Sequence, residues 1–316
     1  MADVYTTSAS VTYDTAAYDL MAYYALRPEL YYDQVADVKP TKQSHRGASV
    51  TFTIQADLAA ASTAINESVD VSAVGLTNSQ VTLTLTEYGN AAITTAKLRG
   101  TSFIELDPVV ANVIGFNAGI SIDSVVRDTL DSGTNVDYSG TATSRATVNA
   151  GNTLAGNDWR KEVSKLRGSF VPTIGGAYCA FIHPDVSYDF RGATGGANWR
   201  DPHTYSSPQD IMTGEIGMFE GCRAIETPRA PLFSSAGSAD PATDVYATLF
   251  LGRQSLCKAW SNAEGNGPQP RVVPGPVTDH LRRFQPMGWY WLGAYGVFRQ
   301  QALRRVESAS TIATNP

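Results

Sequence analysis

Residues 107–133 read DPVVANVIGFNAGISIDSVVRDTLDSG. Asp107 is a good N-cap, and Pro108 suits the first helical position, where its missing N–H costs nothing. Val110, Val113, Ile114, Ile122, Val125 and Val126 recur at three- and four-residue steps, which makes one face apolar. Arg127 lies towards the C-terminal end, where a positive charge complements the helix dipole, and Gly133 can take a left-handed stop. The spacing predicts one helix over 107–133, far longer than the usual ~11–12 residues. Its apolar face should pack on returning C-terminal strands near Trp289, Trp291 and Tyr295. Gly115 and Gly119, one turn apart, leave room for close approach there or at a neighbour.

Upstream, Val50, Phe52 and Ile54 alternate with polar residues, as do Val81, Leu83 and Leu85. Both are period-two strands. Gly47 to Ala92 therefore reads as a hairpin, with a tip from Asp57 to Asn78 far longer than the ~2–5 residues of ordinary hairpin loops. Tyr88 to Leu106 reads as a link to the long helix. Met1 to Pro40 reads as an arm, with a short tyrosine-rich helix begun by Asp14 and ended by Pro28. Tyrosine supplies contact area with a polar tip, and a tail packed on its own domain or an arm on a neighbour both fit.

Downstream, Ser132 to Asn152 is a polar excursion. A helix is expected over 158–166, capped by Asn157 or Asp158. A buried strand follows at 178–182, then a helix from Pro184 to Gly192. Residues 209–219 read as helix, 222–226 as strand, 228–244 as a loop, and 245–251 as a central strand. Residues 262–276 read as a crossing between domains, and 286–306 as a long strand pair or a strand buried against a helix. From 158 to 251 helix and strand alternate, which reads as a compact α/β or α+β domain.

The chain has 316 residues, 43% of them hydrophobic and 17% charged. Its net charge of −6 argues against a dedicated nucleic-acid binder. Cys179, Cys222 and Cys257 are scattered and odd in number, which suits buried free thiols better than a disulfide framework. No secretion signal is visible at the start, and no apolar run approaches ~18 residues, so no membrane span is expected.

Catalytic signatures are missing. There is no phosphate-binding loop, dinucleotide fingerprint or paired Cys-x-x-Cys. His183 with Asp185, or Asp201 with His203, could form half of a triad, but no nucleophile turn accompanies them. Asp131, Asn135 and Asp137 suggest a calcium loop only faintly, because a downstream glutamate is missing. No catalytic residue, cofactor or metal is expected.

What the chain does carry suits assembly. The candidate inter-subunit residues are Tyr18, Tyr23, Tyr24, Tyr31 and Tyr32 on the arm, and Asp57, Glu67 and Asp70 on the hairpin tip. Arg282, Arg283, Arg304 and Arg305 form a basic concentration near the C-terminus that could pair with the acidic tip or serve as an ordinary ion-paired face.

Four stretches, YYDQVADVKPTKQSHRGASVTFTI, LTEYGNAAITTAKLRGTSFIELDPVVANVIGFNAGISIDSVVRDTL, AFIHPDVSYDFRG and TGEIGMFEGCRAIETPRAP, resemble in order and spacing the major capsid proteins of tailed bacteriophages with the Hong Kong 97-type fold. The similarity is closest to the phage N-four-like branch. The resemblance implies an α+β fold with an N-terminal arm at 1–46 and an extended loop at 47–92. It implies a peripheral domain at 93–150 with its spine helix at 107–133, an axial domain at 151–267, and a peripheral return and tail at 268–316. It also implies hexamers and pentamers closing into an icosahedral shell in the host cytoplasm, around double-stranded DNA that is enclosed without specific binding. Scaffolding, portal and decoration proteins are implied partners. Some relatives cross-link a loop lysine to a neighbour's asparagine, but Gly47 to Ala96 contains no lysine, so no such cross-link is expected. The alternatives are a tail-tube or decoration protein, which would not need the long helix, and a cytosolic α/β hydrolase.

Overall fold

In the computed structural model, the stretch quoted first forms one uninterrupted helix of 26 residues, Leu106–Asp131. The structure describes residues 32–41, 48–62, 64–65, 67–68, 70–102, 106–192, 215–238, 243–261, 267–277 and 279–312. The strands are β1 Ala36–Thr41, β2 Ser49–Gln55, β3 Asn78–Thr84, β4 Thr86–Thr95, β5 Val136–Tyr138, β6 Tyr178–Ile182, β7 Glu215–Phe219, β8 Cys222–Glu226, β9 Leu232–Phe233, β10 Val245–Leu251, β11 Leu256–Ser261, β12 Arg271–Pro274, β13 Phe284–Val297 and β14 Leu303–Ser308. The helices are α1 Ala96–Thr101, α2 Leu106–Asp131, α3 Gly156–Gly168 and α4 Pro184–Gly192.

These strands make two sheets and a separate hairpin. The five-stranded sheet is built on β13, whose first part lies between β4 and β12 and whose last part pairs with β11, with β1 parallel at the edge. The seven-stranded sheet runs β5-β14-β10-β6-β8-β7, with β9 added to β10. The hairpin pairs β2 with β3, Phe52 opposite Val81.

Alternation explains how helices cover the seven-stranded sheet. Cys179 and Phe181 of β6, with Leu249 and Leu251 of β10, face α2, whereas Tyr178, Ala180, Ile182, Tyr246 and Phe250 face α3 and α4. A strand covered on both faces must be apolar throughout, and β6 and β10 are buried along their whole length. On the far side Trp159 anchors α3, its ring centroid 5.0 Å from Phe190 and 4.7 Å from Phe250. The other face of α2 meets Trp289, Trp291 and Tyr295 of β13, as the sequence anticipates.

The buried stripe on α2 differs in detail from the expected one. It runs at four-residue steps through Ile114, Ala118, Ile122, Val126 and Leu130, while Val113 is 48% exposed. Asp107 sits inside the first turn, not at the cap. Gly133 does not adopt a left-handed backbone; a Cβ there would lie 2.7 Å from Leu303 Cδ2, so glycine serves close packing instead. A Cβ at Gly115 would meet nothing within 4 Å, so its small size serves no contact within the subunit. By length and composition α2 could cross a bilayer, contrary to the sequence expectation, yet it is a core helix that buries an Asp123–Arg229 ion pair.

Other corrections follow from pairing that local sequence does not reveal. The free hairpin ends at Thr84, because Thr86 onward belongs to β4 and pairs with β13 over Phe284–Gly293. Residues 88–101 are thus strand and helix, not a link. The polar stretch after α2 is tied down by β5 on β14, with Ser139 fully buried. Helix α3 starts earlier than expected, and Asp158 within it hydrogen-bonds Ser139 Oγ at 2.7 Å. Residues 215–219, expected as helix, form β7. The crossing expected at 262–276 contains β12. The 267/268 boundary is crossed by both sheets, since β11 joins the five-stranded sheet and β14 the seven-stranded one.

Candidate assembly interface

The hairpin stem is well rooted. Val50, Phe52 and Leu83 pack on Cys257, Ala259 and Ala294 of the five-stranded sheet. Gly296 makes room for Leu83, whose Cδ2 lies 2.3 Å from where a Cβ would stand. Beyond the last pair, Gln55–Asn78, the described residues of the tip carry no strand pairing, and the bond from Ala56 N–H to Thr77 O closes its base at 3.1 Å. Asp57, Glu67 and Asp70 are exposed on this tip. So are Leu58, Ile65, Val71, Val74 and Leu76, at 56, 75, 62, 73 and 76%. Five exposed aliphatic side chains thus fall within one hairpin tip. The tip's length and acids are legible in the sequence, whereas its aliphatics are spaced irregularly among alanine, glycine and small polar residues and form no period.

Tyr18, Tyr23, Tyr24 and Tyr31 lie outside the described residues, as does the helix expected after Asp14. Tyr32 is fully buried within its own subunit, its ring 4.5 Å from Phe181. Its backbone N–H donates to Asp123 Oδ1 at 3.2 Å. Burial and the nearby Asp123 carboxylate push its phenol far above the ordinary tyrosine range. Asp33, next in sequence, accepts from buried Lys258 Nζ at 2.8 Å and from Tyr295 Oη at 2.6 Å. These contacts root the arm on α2, β11 and β13. They correct the expectation that Tyr32 is an inter-subunit contact.

Arg304 and Arg305 are corrected in the same way, because both are tied within the subunit. Arg304 bonds Glu162 on α3 and Asp137 on β5, the latter at 2.6 Å. Burial would raise the Asp137 carboxyl, but hydrogen bonds from Lys165 and Arg304 outweigh it and hold the group well below the usual carboxylate range. Glu162 is shifted upward, since burial prevails over the pull of Arg304. Arg305 reaches Asp131 at 2.7 Å and Glu307 at 3.1 Å. Asp131, Asn135 and Asp137, the faint calcium loop, are thus engaged with Arg305, Gln300 and Arg304. Arg282 and Arg283 remain exposed at the turn before β13, where Arg283 pairs with Asp279 at 2.7 Å.

His183 and Asp185 stand at the start of α4. His183 Nδ1 accepts from the Asp185 backbone N–H at 3.2 Å, so the imidazole caps the helix. Burial pushes it below its ordinary pKa despite Asp185 and Glu226. The hydroxyls of Ser187 and Tyr246 donate to Glu226 and Asp185, leaving no hydroxyl poised against the imidazole in this cluster. Asp201 and His203 lie outside the described residues. Among the described residues no cluster of metal-ligating side chains occurs, and Cys179, Cys222 and Cys257 are buried free thiols.

Several solved structures share this fold. The capsid of Ralstonia phage GP4 superposes with a TM-score of 0.78 at 14% identity, over 96% of this chain and 97% of that one. The Cyanophage Pam1 capsid gives 0.71 at 14% identity over 99% and 100%. The acid-stable capsid of Helicobacter pylori bacteriophage KHP30 gives 0.66 at 10% identity over 98% of each chain. No curated protein matches by sequence. The family model described as phage capsid protein matches residues 5–312. The chain therefore belongs to the phage capsid protein family, and it is a major capsid protein that builds an icosahedral shell.

Proposed function

We propose that this subunit is of the Hong Kong 97 type and closes as hexamers and pentamers around double-stranded DNA, without enzymatic activity. The arm would span 1–46. The extended loop would begin at 47, as expected, but end near 85, where β4 takes over. Helix α2 with the five-stranded sheet would form the peripheral domain, and the seven-stranded sheet with α3 and α4 the axial domain. A branch relationship to N-four-like coat proteins, assembly in the host cytoplasm, and scaffolding, portal and decoration partners complete the proposal. The exposed aliphatic tip carries it, because a tip with no core of its own gains only by covering another copy. Its acids, Asp57, Glu67 and Asp70, are exposed and would meet exposed arginines such as Arg282 and Arg283 of a neighbour. Expression followed by electron microscopy is the test. Shells with hexameric and pentameric units are expected; tubes, or monomers at high concentration, would overturn it. Denaturing gels of those shells should show single subunits, since the loop has no lysine to cross-link.

A further inference from the structure

Phe170 holds a left-handed backbone conformation while its ring stays exposed. At the end of α3, Val171 N–H donates to Leu166 O at 3.2 Å and Phe170 N–H to Arg167 O at 3.0 Å. This closure sets residue 170 in the left-handed region, with φ 54°, a position that glycine usually fills. A side chain with a Cβ is strained there. At 93% exposure, no packing offsets that strain. Backbone strain of this kind concentrates where function requires it.

Beside Phe170 lies a cleft of about 520 Å³ between the hairpin stem and the loops that follow α3 and β13. Ile54, Val81, Pro172 and Phe298 give it apolar walls, Arg253 and Arg299 give it positive charge, and among the described residues no acid lines it. The surface of opposite character is the tip at 56–77, which carries Asp57, Glu67 and Asp70 and no lysine, arginine or histidine. The chain's own tip leaves its aliphatic residues exposed, so it does not fill the cleft. We propose that Phe170 and this cleft are the seat, on one subunit, for the acidic, aliphatic tip of a second copy. The inference rests on the capsid reading and adds the receiving residues. Aromatic and aliphatic groups would exclude water while the two arginines set orientation.

The test is Phe170→Gly, which relieves the backbone strain and removes the ring. The variant should fold and unfold thermally at or above the parent's temperature, yet need at least about a tenfold higher subunit concentration to form shells. As a second measurement, F170C subunits are mixed with V74C subunits carrying a tag of different mass, assembled and oxidised. A disulfide-linked product containing one of each is expected. Shell formation by F170G at the parent's concentration, or shells of the mixed subunits without that product, would overturn the proposal and leave the capsid reading standing. If the parent makes no shells, the capsid reading itself fails.

Discussion

Asp33 and Lys258 show how much one buried pair can govern. Lys258 is 2% exposed and lies 5.9 Å from the Trp291 ring and 5.3 Å from that of Tyr295. Removing Asp33 leaves an ammonium in an apolar wall, which costs roughly 3–5 kcal/mol for a fully buried pair. Asp33 is 32% exposed, so the loss should fall at the low end. Asp33→Ala should therefore lower urea-unfolding stability by roughly 3 kcal/mol. The Asp33→Ala/Lys258→Met double variant should recover most of that loss; equal destabilisation of both would show that the ion pair is not the cause. Asp137 provides a pH test. Its folded pKa lies below the unfolded value of about 3.9, so its contribution is complete above that pH and declines as pH falls towards the folded value. Glu162 has the opposite sign: its raised pKa costs stability at neutral pH, and protonation relieves that cost. Asp137→Asn should flatten the acid decline of the stability curve below about pH 4. An unchanged slope would rule out Asp137 as a source of acid lability. These partners were not legible in the sequence. Tyr32 looked like one more arm tyrosine, and Arg304 and Arg305 like a free basic patch, because the chain alone does not show that Phe181, Glu162 and Asp131 fold against them.

Elements with strong periodicity were legible, and those held by a neighbouring strand were not. The helix at 106–131, the stem strands and the buried β6 and β10 all carry their own apolar pattern. Strand β4, TEYGNAAITT, has almost none; ten backbone pairings to β13 hold it. Strand β7, EIGMF, likewise depends on β8, with an irregular register between Glu215 and Gly217. The tip is the converse case, an element with sequence character whose described aliphatic residues stay exposed. Replacing residues 57–77 with Asn-Gly should leave the subunit folded, with stability changed by less than about 0.5 kcal/mol, the scale of surface changes that break no packed contact. The same variant should fail to form shells. A large loss of stability in the isolated subunit would mean that the tip supports its own fold instead.

The two sheets share α2, so the subunit cannot be divided without opening its central core. Chain crossings reinforce this, with β11 contributing to one sheet and β14 to the other. Unfolding followed by far-ultraviolet circular dichroism and by tryptophan fluorescence should accordingly coincide, because Trp159 lies on one side of the seven-stranded sheet and Trp289 and Trp291 across it beside α2. Separated transitions would mean that the sheets melt independently. Charge sets the remaining property. With a net charge of −6, the free subunit should be repelled by DNA at most of its surface. Among the candidate basic residues, Arg304 and Arg305 are neutralised internally and only Arg282 and Arg283 stay at the surface. An acidic subunit that encloses DNA without gripping it should show a shallow dependence on salt, with a slope of logarithmic affinity against logarithmic salt no steeper than about −2. Mobility-shift titrations of unassembled subunits on random-sequence duplex between about 50 and 200 mM salt measure that slope. A slope near −6 would reveal a DNA-binding face and would end the view that the shell encloses its genome without gripping it.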